Sequence, residues 1–156
     1  MGYLYQHDWV NIRNVAIWPR VFRDVGQNLQ IRLIRRYYYT SAPRDEVYRN
    51  EVIDKLKGMR IEDVKVFKKS RTRGSKRVDI SLTTDMLLHA FNKNYEVAIL
   101  ITGDEDFVPV VDAVKATGRN VIVWFFGSGD GTSENLRRVA DFFADITVPV
   151  VKRDYV

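Results

Sequence analysis

A continuous apolar run near the middle of the chain is the feature that most restricts the fold. Residues 97–101 are all apolar, and Thr102-Gly103 ends the run. A run without polar alternation is typical of a parallel strand that is covered on both faces. Open sheets of this kind bind ligands beyond the carboxyl ends of their strands. The run therefore predicts an α/β sheet with a functional edge at Gly103.

Strands and helices alternate along the chain. Strands are predicted over residues 2–7, 30–40, 63–69, 96–102, 120–126 and 145–150. Helices are predicted over residues 11–27, 45–56 and 106–117, from Thr84 or Asp85 to 93, and from Ser133 to 143, with a short extended piece over 78–82. Alternation of this kind predicts a three-layer α/β/α sandwich around a central, mainly parallel sheet. At 156 residues, the chain is expected to form a single domain, 1–156.

Composition excludes several classes of site. The chain has no Cys, which excludes disulfides, thiolate nucleophiles and Cys-based metal sites. No secretory signal pattern and no bilayer-spanning apolar run is present, so the expectation is a cytoplasmic protein without a membrane partner.

Charge is divided unevenly along the sequence. Residues 1–77 hold 18 Lys+Arg and 8 Asp+Glu, whereas residues 78–156 hold 7 and 12. A polyanion held by a basic part and processed at an acidic, metal-loaded part fits this division. A chance asymmetry between two solvated surfaces is the alternative.

Aspartates flank the ends of the predicted strands. They are Asp8 after the first strand, Asp79 and Asp85 around a helix start, and Asp104 and Asp106 after the apolar run. Carboxylates that share a pocket repel each other, and a bound Mg²⁺ or Mn²⁺ relieves the repulsion. Hydrolysis of a phosphodiester by metal-activated water is the natural chemistry of such a site.

Each of these acids also has a structural explanation. Asp104 caps the next helix in the simplest alternative, and Asp85 and Asp106 complement a helix dipole. Asp8 is a turn or capping residue, and Asp79 pairs with the basic residues just before it. Three further acids are predicted to be surface residues: Asp112, Asp141 and Asp145. His89 is more readily a partly buried structural residue than a site residue.

Three motifs together resemble the NYN domain family, the PIN-like nucleases that include the LabA-like and DUF88 proteins. The sequence Asp8-Trp-Val-Asn11 resembles the first family motif, and residues 76–85 resemble its Lys-x-Val-Asp…Asp motif. Gly103-Asp-Glu-Asp-Phe107 resembles its most specific signature, Gly-Asp-x-Asp-Phe. The resemblance covers nearly the whole chain, and it implies a PIN-like α/β/α sandwich.

The resemblance also implies roles for the residues in these motifs. Asp8, Asp85 and Asp104 would bind Mg²⁺ or Mn²⁺. The supporting catalytic residues would be Asp79, Asp106 and Asn11. RNA as the substrate, in preference to DNA, follows from the resemblance alone.

A basic segment leads directly into the second motif. Residues 65–77 hold seven basic residues and no acid. Six of them are predicted to bind the RNA backbone: Lys68, Lys69, Arg71, Arg73, Lys76 and Arg77. Tyr37 to Tyr39 either stack on single-stranded bases or face the core.

The first hypothesis is a Mg²⁺/Mn²⁺-dependent ribonuclease acting on single-stranded or structured RNA. The alternative is a non-catalytic RNA-binding or regulatory NYN module, and a phosphatase of a small substrate is a third. A homo-oligomer is compatible with all three.

Overall fold

The computed structural model describes residues 32, 34–42, 46–58, 60–68, 76–127 and 131–145. The strands among them are β1 (Tyr37–Ala42), β2 (Asp63–Lys68), β3 (Val97–Leu100), β4 (Asn120–Phe125) and β5 (Phe142–Asp145). The helices are α1 (Glu46–Gly58), α2 (Lys76–Phe91), α3 (Val108–Ala116) and α4 (Glu134–Val139), and a 3-10 turn, Glu105–Phe107, leads into α3. The predicted first strand, 2–7, and first helix, 11–27, lie outside the described residues.

The strand pairings in the described residues are parallel. β1 pairs with β2, with Tyr39 opposite Lys65, and β4 lies between β3 and β5. α2 packs on β1 and β2 and also contacts α3. Parallel strands flanked by helices confirm the predicted α/β class.

The hydrophobic core is centred on β4 and α3. Val121 and Val123 on β4 are fully buried, as are Val111 and Val114 on α3. Trp124, which points to the other face of β4, is also fully buried. β4 is therefore covered on both faces. The run that predicted such a strand is β3, where Leu100 is buried and the other residues are half-buried.

α2 differs most from the sequence-based prediction. The extended piece at 78–82 and the helix start at Thr84 or Asp85 are wrong, because one helix runs from Lys76 to Phe91. Its β-branched residues favour a strand locally, but packing of Leu82 and Met86 against the core outweighs that preference. Thr84 fits the helix by donating from Oγ1 to the Ile80 carbonyl at 2.8 Å.

The last helix and strand also begin and end earlier than predicted. Ser133 caps α4 as expected, accepting a hydrogen bond from the Leu136 N–H, but the helix ends at Val139 rather than 143. Ala140 is extended, and Phe142–Asp145 pairs with β4 as β5. The predicted last strand, 145–150, therefore overlaps β5 only at Asp145, and its remainder lies outside the described residues.

Smaller differences concern the other element ends. β1 starts at Tyr37 rather than at 30 and runs to Ala42, and the 3-10 turn replaces the first part of the predicted helix 106–117. The single-domain organisation stays a prediction. No helix in the described ranges combines the length and the apolar character needed to cross a membrane.

Candidate active site

The turn after β3 carries three consecutive exposed acids, Asp104, Glu105 and Asp106. Asp104 caps the 3-10 turn, and its Oδ1 accepts a hydrogen bond from the Asp106 N–H at 3.0 Å. The Asp104 N–H in turn donates to Thr102 Oγ1 at 3.2 Å. The predicted capping contact of Asp104 is therefore confirmed. A carboxylate accepts several bonds at once, so this contact leaves capacity for a ligand.

A loop before α4 rests on this turn. Gly103 packs so closely that a Cβ there would overlap the Gly131 carbonyl oxygen and the Phe125 ring. The Gly103 carbonyl accepts from the Ser133 N–H at 2.9 Å, and Glu105 Oε1 accepts from Asn135 Nδ2 at 2.5 Å. Sequence reasoning missed Asn135, although its place four residues after the Gly-rich stretch 127–131 was a signal.

Asp85 lies in the middle of α2 and not at a helix start. Its Oδ2 accepts from Tyr39 Oη at 2.7 Å and from Lys65 Nζ at 2.5 Å. We call these three residues the Asp85 cluster. The Asp85 side chain is 19% exposed and that of Lys65 35%, so the carboxylate is largely shielded from water and the lysine side chain is about one-third exposed.

The Asp85 cluster shifts the ionisation of two of its members. Burial opposes the charge on Asp85, but the hydrogen bonds from Lys65 and Tyr39 outweigh it, and the pKa of Asp85 falls below its ordinary value. Burial raises the pKa of Tyr39, and its bond to the Asp85 carboxylate raises it further. Asp85 is therefore ionised and Tyr39 neutral at neutral pH.

Asp79 lies in the first turn of α2 and is half-buried. It is seven residues before Met86, so both occupy the face of α2 that packs against the core. Asp85 is six residues from Asp79, which places it about 9 Å along the axis and roughly 120° around it. The two acids therefore point in different directions.

His89 contacts β1 and the connection that follows α2. Its Nε2 lies 3.0 Å from Tyr37 Oη and its Nδ1 lies 2.8 Å from Asn94 Nδ2. The Tyr37 and Tyr39 rings stack at 6.4 Å between centroids. These contacts favour the structural explanation of His89, and they turn Tyr37 and Tyr39 towards α2 rather than towards an RNA base.

The predicted RNA-binding residues are only partly described. Lys68, Lys76 and Arg77 are exposed, at the carboxyl end of β2 and the start of α2. Lys69, Arg71 and Arg73 lie outside the described residues. Lys65, from the same basic segment, is held in the Asp85 cluster.

The predicted metal ligands, Asp8, Asp85 and Asp104, and their supporting catalytic residues are also only partly described. Asp8 and Asn11 lie outside the described residues, so their approach to Asp104 stays a prediction. Within the described ranges, no group of three or more Asp, Glu, His or Cys side chains is placed to hold a metal ion. The donors offered by Asp79, Asp104 and Asp106 are carboxylate oxygens, which suit Mg²⁺ and Mn²⁺ rather than softer metals.

A match to a known family covers most of the chain. The NYN domain matches residues 8–147. The chain belongs to the NYN domain family. This family is generally nuclease-like, and its nucleases typically use divalent metals. The match extends from the first to the last of the motifs that suggested the resemblance.

Two individual proteins are similar to this NYN chain. The crystal structure of VPA0982 from Vibrio parahaemolyticus, a protein of unknown function, has a TM-score of 0.60 and 25% identity, over 82% of this chain and 77% of that one. The uncharacterized protein MJ0482 from Methanocaldococcus jannaschii is 33% identical over 69 residues, which are 44% of this chain and 28% of that protein. The match thus spans less than a third of MJ0482. The structural similarity confirms the predicted PIN-like α/β/α sandwich.

Proposed function

We propose that this NYN chain is a Mg²⁺- or Mn²⁺-dependent ribonuclease. The observation that carries the proposal is the exposed turn at Asp104–Asp106, which follows the parallel strand β3 at the edge where α/β sheets bind ligands. The family to which the chain belongs is nuclease-like. RNA as the substrate is part of the proposal.

The position of α2 supports the same site. The short connection 92–96 joins the end of α2 to the start of β3. α2 and β3 run in opposite directions, so the first turn of α2, with Asp79, lies near the carboxyl end of β3, as Asp104 does. We call this the carboxyl end of the α/β layer, after the strand ends that meet there. Asp8 and Asn11 would join these acids from the first motif. The resemblance also assigns Asp85 to the metal, but Lys65 and Tyr39 already hold its carboxylate.

The acidic and the basic residues would have separate roles in cleavage. A divalent ion held by Asp8 and Asp104 would activate water for attack on a phosphodiester, with Asp79 in a supporting role. Asp104 holds its carboxylate in place through the cap to Asp106, so little reorganisation is needed at the site. Lys68, Lys76 and Arg77 place positive charge at the same end of the layer, where it would hold the phosphate backbone.

A cleavage assay tests the proposal. The purified chain is incubated with end-labelled single-stranded RNA and Mn²⁺ or Mg²⁺, beside Asp104→Asn and Asp8→Asn. Both substitutions should lower the rate by about a hundredfold or more, since even outer-shell partners of a metal site contribute 10–100-fold. Asn at 104 still accepts the capping bond, so the turn is kept. EDTA should abolish cleavage by the native chain.

Asp112→Asn is the matched control, because Asp112 is an exposed acid on α3 away from the motifs. It should cleave like the native chain. Cleavage that persists in Asp104→Asn and Asp8→Asn would place the activity elsewhere or in a contaminant. RNA binding by the native chain without cleavage would favour the non-catalytic module.

A further inference from the structure

The Asp85 cluster joins α2 to both strands of the β1–β2 sheet. Tyr39 and Lys65 lie directly opposite each other in the parallel register, and both donate to the same carboxylate oxygen. One side chain of α2 is thus bound to one specific residue pair of the sheet. If α2 moved along the strands by a single turn, about 5.4 Å, Asp85 would lose both donors.

Asp85 also lies away from the edge at which the acids of the turn after β3 project. Tyr37 contacts His89 and Tyr39 contacts Asp85, so α2 runs antiparallel to β1. β1 continues for three residues beyond Tyr39, to Ala42. At about 3.3 Å per residue, Asp85 faces the sheet roughly 10 Å before its carboxyl edge.

A cation already occupies the carboxylate of Asp85. Lys65 Nζ is 2.5 Å from Oδ2 and 5.8 Å from the centre of the Tyr39 ring. A divalent ion on the same oxygen would meet this ammonium group at close range and be repelled by it. Direct metal binding would therefore require Lys65 to leave its ion pair with a largely shielded carboxylate and its place over an aromatic ring.

We infer that Asp85 is a positioning residue that fixes α2 on β1 and β2, and that it is not a metal ligand. The inference rests on the proposed metal-dependent function, and it replaces the sequence-based assignment of Asp85 to the metal. By fixing α2 along the strands, Asp85 sets the place of Lys76, Arg77 and Asp79 in the first turn of the helix. Its effect on cleavage is exerted through those residues.

Binding of Mn²⁺ separates a ligand from a positioning residue. Free Mn²⁺ is measured by electron paramagnetic resonance during titration of the native chain, Asp104→Asn, Asp85→Asn and Lys65→Met. Asp104→Asn should weaken binding at least about tenfold, whereas Asp85→Asn and Lys65→Met should stay within about twofold of the native affinity. The last two should lower kcat for RNA by about tenfold or more, because a displaced helix misplaces the groups it carries.

Two results of that titration would overturn the inference. One is a loss of Mn²⁺ affinity in Asp85→Asn as large as in Asp104→Asn. The other is tighter Mn²⁺ binding in Lys65→Met, which would mean that Lys65 competes with the metal for Asp85.

Thermal unfolding of the metal-free chain tests the positioning role independently of activity. Asp85→Asn and Lys65→Met should each lower Tm, and the double variant should lower it by less than the two shifts added together. Glu46→Gln, which removes an exposed pair with Arg49, is the charge-matched control and should barely change Tm. Additive shifts would overturn the positioning role. A native chain that neither binds Mn²⁺ nor cleaves RNA would refute the proposed function, and the unfolding data would still decide whether Asp85 holds α2.

Discussion

A single exposed acid, Asp141, links the start of β5 to β4 through two hydrogen bonds. Its Oδ2 accepts from the Val121 N–H at 2.7 Å, and its own N–H donates to the Val121 carbonyl at 3.0 Å. Lys115 Nζ lies 3.2 Å from Oδ1. The bond from the Val121 N–H outweighs partial burial, and with help from Lys115 it lowers the pKa of Asp141. The sequence predicts Asp141 only as a surface residue, because its partner is twenty positions away.

The lowered pKa of Asp141 makes its contribution to stability depend on pH. A carboxyl whose pKa is lower in the folded state stabilises the fold above its unfolded pKa, and this stabilisation is lost as the pH falls through the folded pKa. Asp141→Asn should therefore lower Tm near neutral pH and have little effect at about pH 2. Thermal melts of both proteins at the two pH values measure this. An equal Tm difference at both would show that the charge is irrelevant.

At the scale of elements, the turn after β3 depends on a glycine at its first position. Gly103 lies against Gly131 and Phe125, with no room for a Cβ. The segment 131–135, which includes the first residues of α4, can rest on the acid-bearing turn only because that side chain is missing. The close approach thus links the end of β3 to the start of α4.

Gly103→Ala should therefore destabilise the chain and impair the site together. We expect a loss of about 1–3 kcal/mol in the free energy of unfolding, typical of a side chain forced into packed structure. RNA cleavage should fall as well, because the overlap moves the turn that bears Asp104. Urea unfolding and the cleavage assay measure the two effects.

The matched control is Gly58→Ala, since a Cβ at Gly58 meets nothing within 4 Å. It should leave cleavage and stability nearly unchanged. If Gly103→Ala behaved in the same way, the close approach at Gly103 would not matter for the site.

α2 shows where local reasoning about elements fails. Val78, Thr83 and Thr84 favour an extended chain locally, which is why a helix start at Thr84 or Asp85 was wrongly predicted. The spacing of Val78, Leu82 and Met86 already contained the helical alternative, but only contacts with the sheet and the core make it the stable one.

At the scale of the whole molecule, the two signs of charge meet at one end of the α/β layer. The exposed basic residues Lys68, Lys76 and Arg77 lie there with Asp79 and the acids of the turn after β3. The division seen between the halves of the sequence is thus brought together by the parallel course of the strands. Such an arrangement suits a polyanion that is held beside a metal site.

Salt dependence tests the basic side of this end. With Asp104→Asn as the background, so that RNA stays intact, Lys76→Gln with Arg77→Gln should weaken RNA binding. The slope of log K against log salt should become less steep by about 1.4, or 0.7 for each lost phosphate contact on a single strand. Fluorescence anisotropy over a range of salt concentrations measures the slope.

Lys55→Gln with Lys57→Gln is the charge-matched control, because these exposed residues lie in the last turn of α1, at the opposite end of the layer. It should leave the slope nearly unchanged. Equal effects of both pairs would indicate diffuse attraction rather than a defined binding surface.

The sequence was sufficient for the fold class and for the turn at Asp104, because an apolar strand pattern and a Gly-Asp turn are local features. It could not show that Lys65 pairs with Asp85, or that Asn135 supports Glu105, since these partners are brought together only by the fold. Basic character alone placed Lys65 with the RNA-binding segment, whereas its neighbours give it a different partner.

The shared register of Tyr39 and Lys65 beneath Asp85 also has an evolutionary consequence. A lone substitution of Lys65 would leave the shielded Asp85 carboxylate without its counter-ion. A lone substitution of Asp85 would likewise leave the Lys65 ammonium group without its counter-ion. Either single step is costly, so the two positions are expected to change in concert. In diverging NYN chains of this kind, loss of the lysine should accompany loss of the acid.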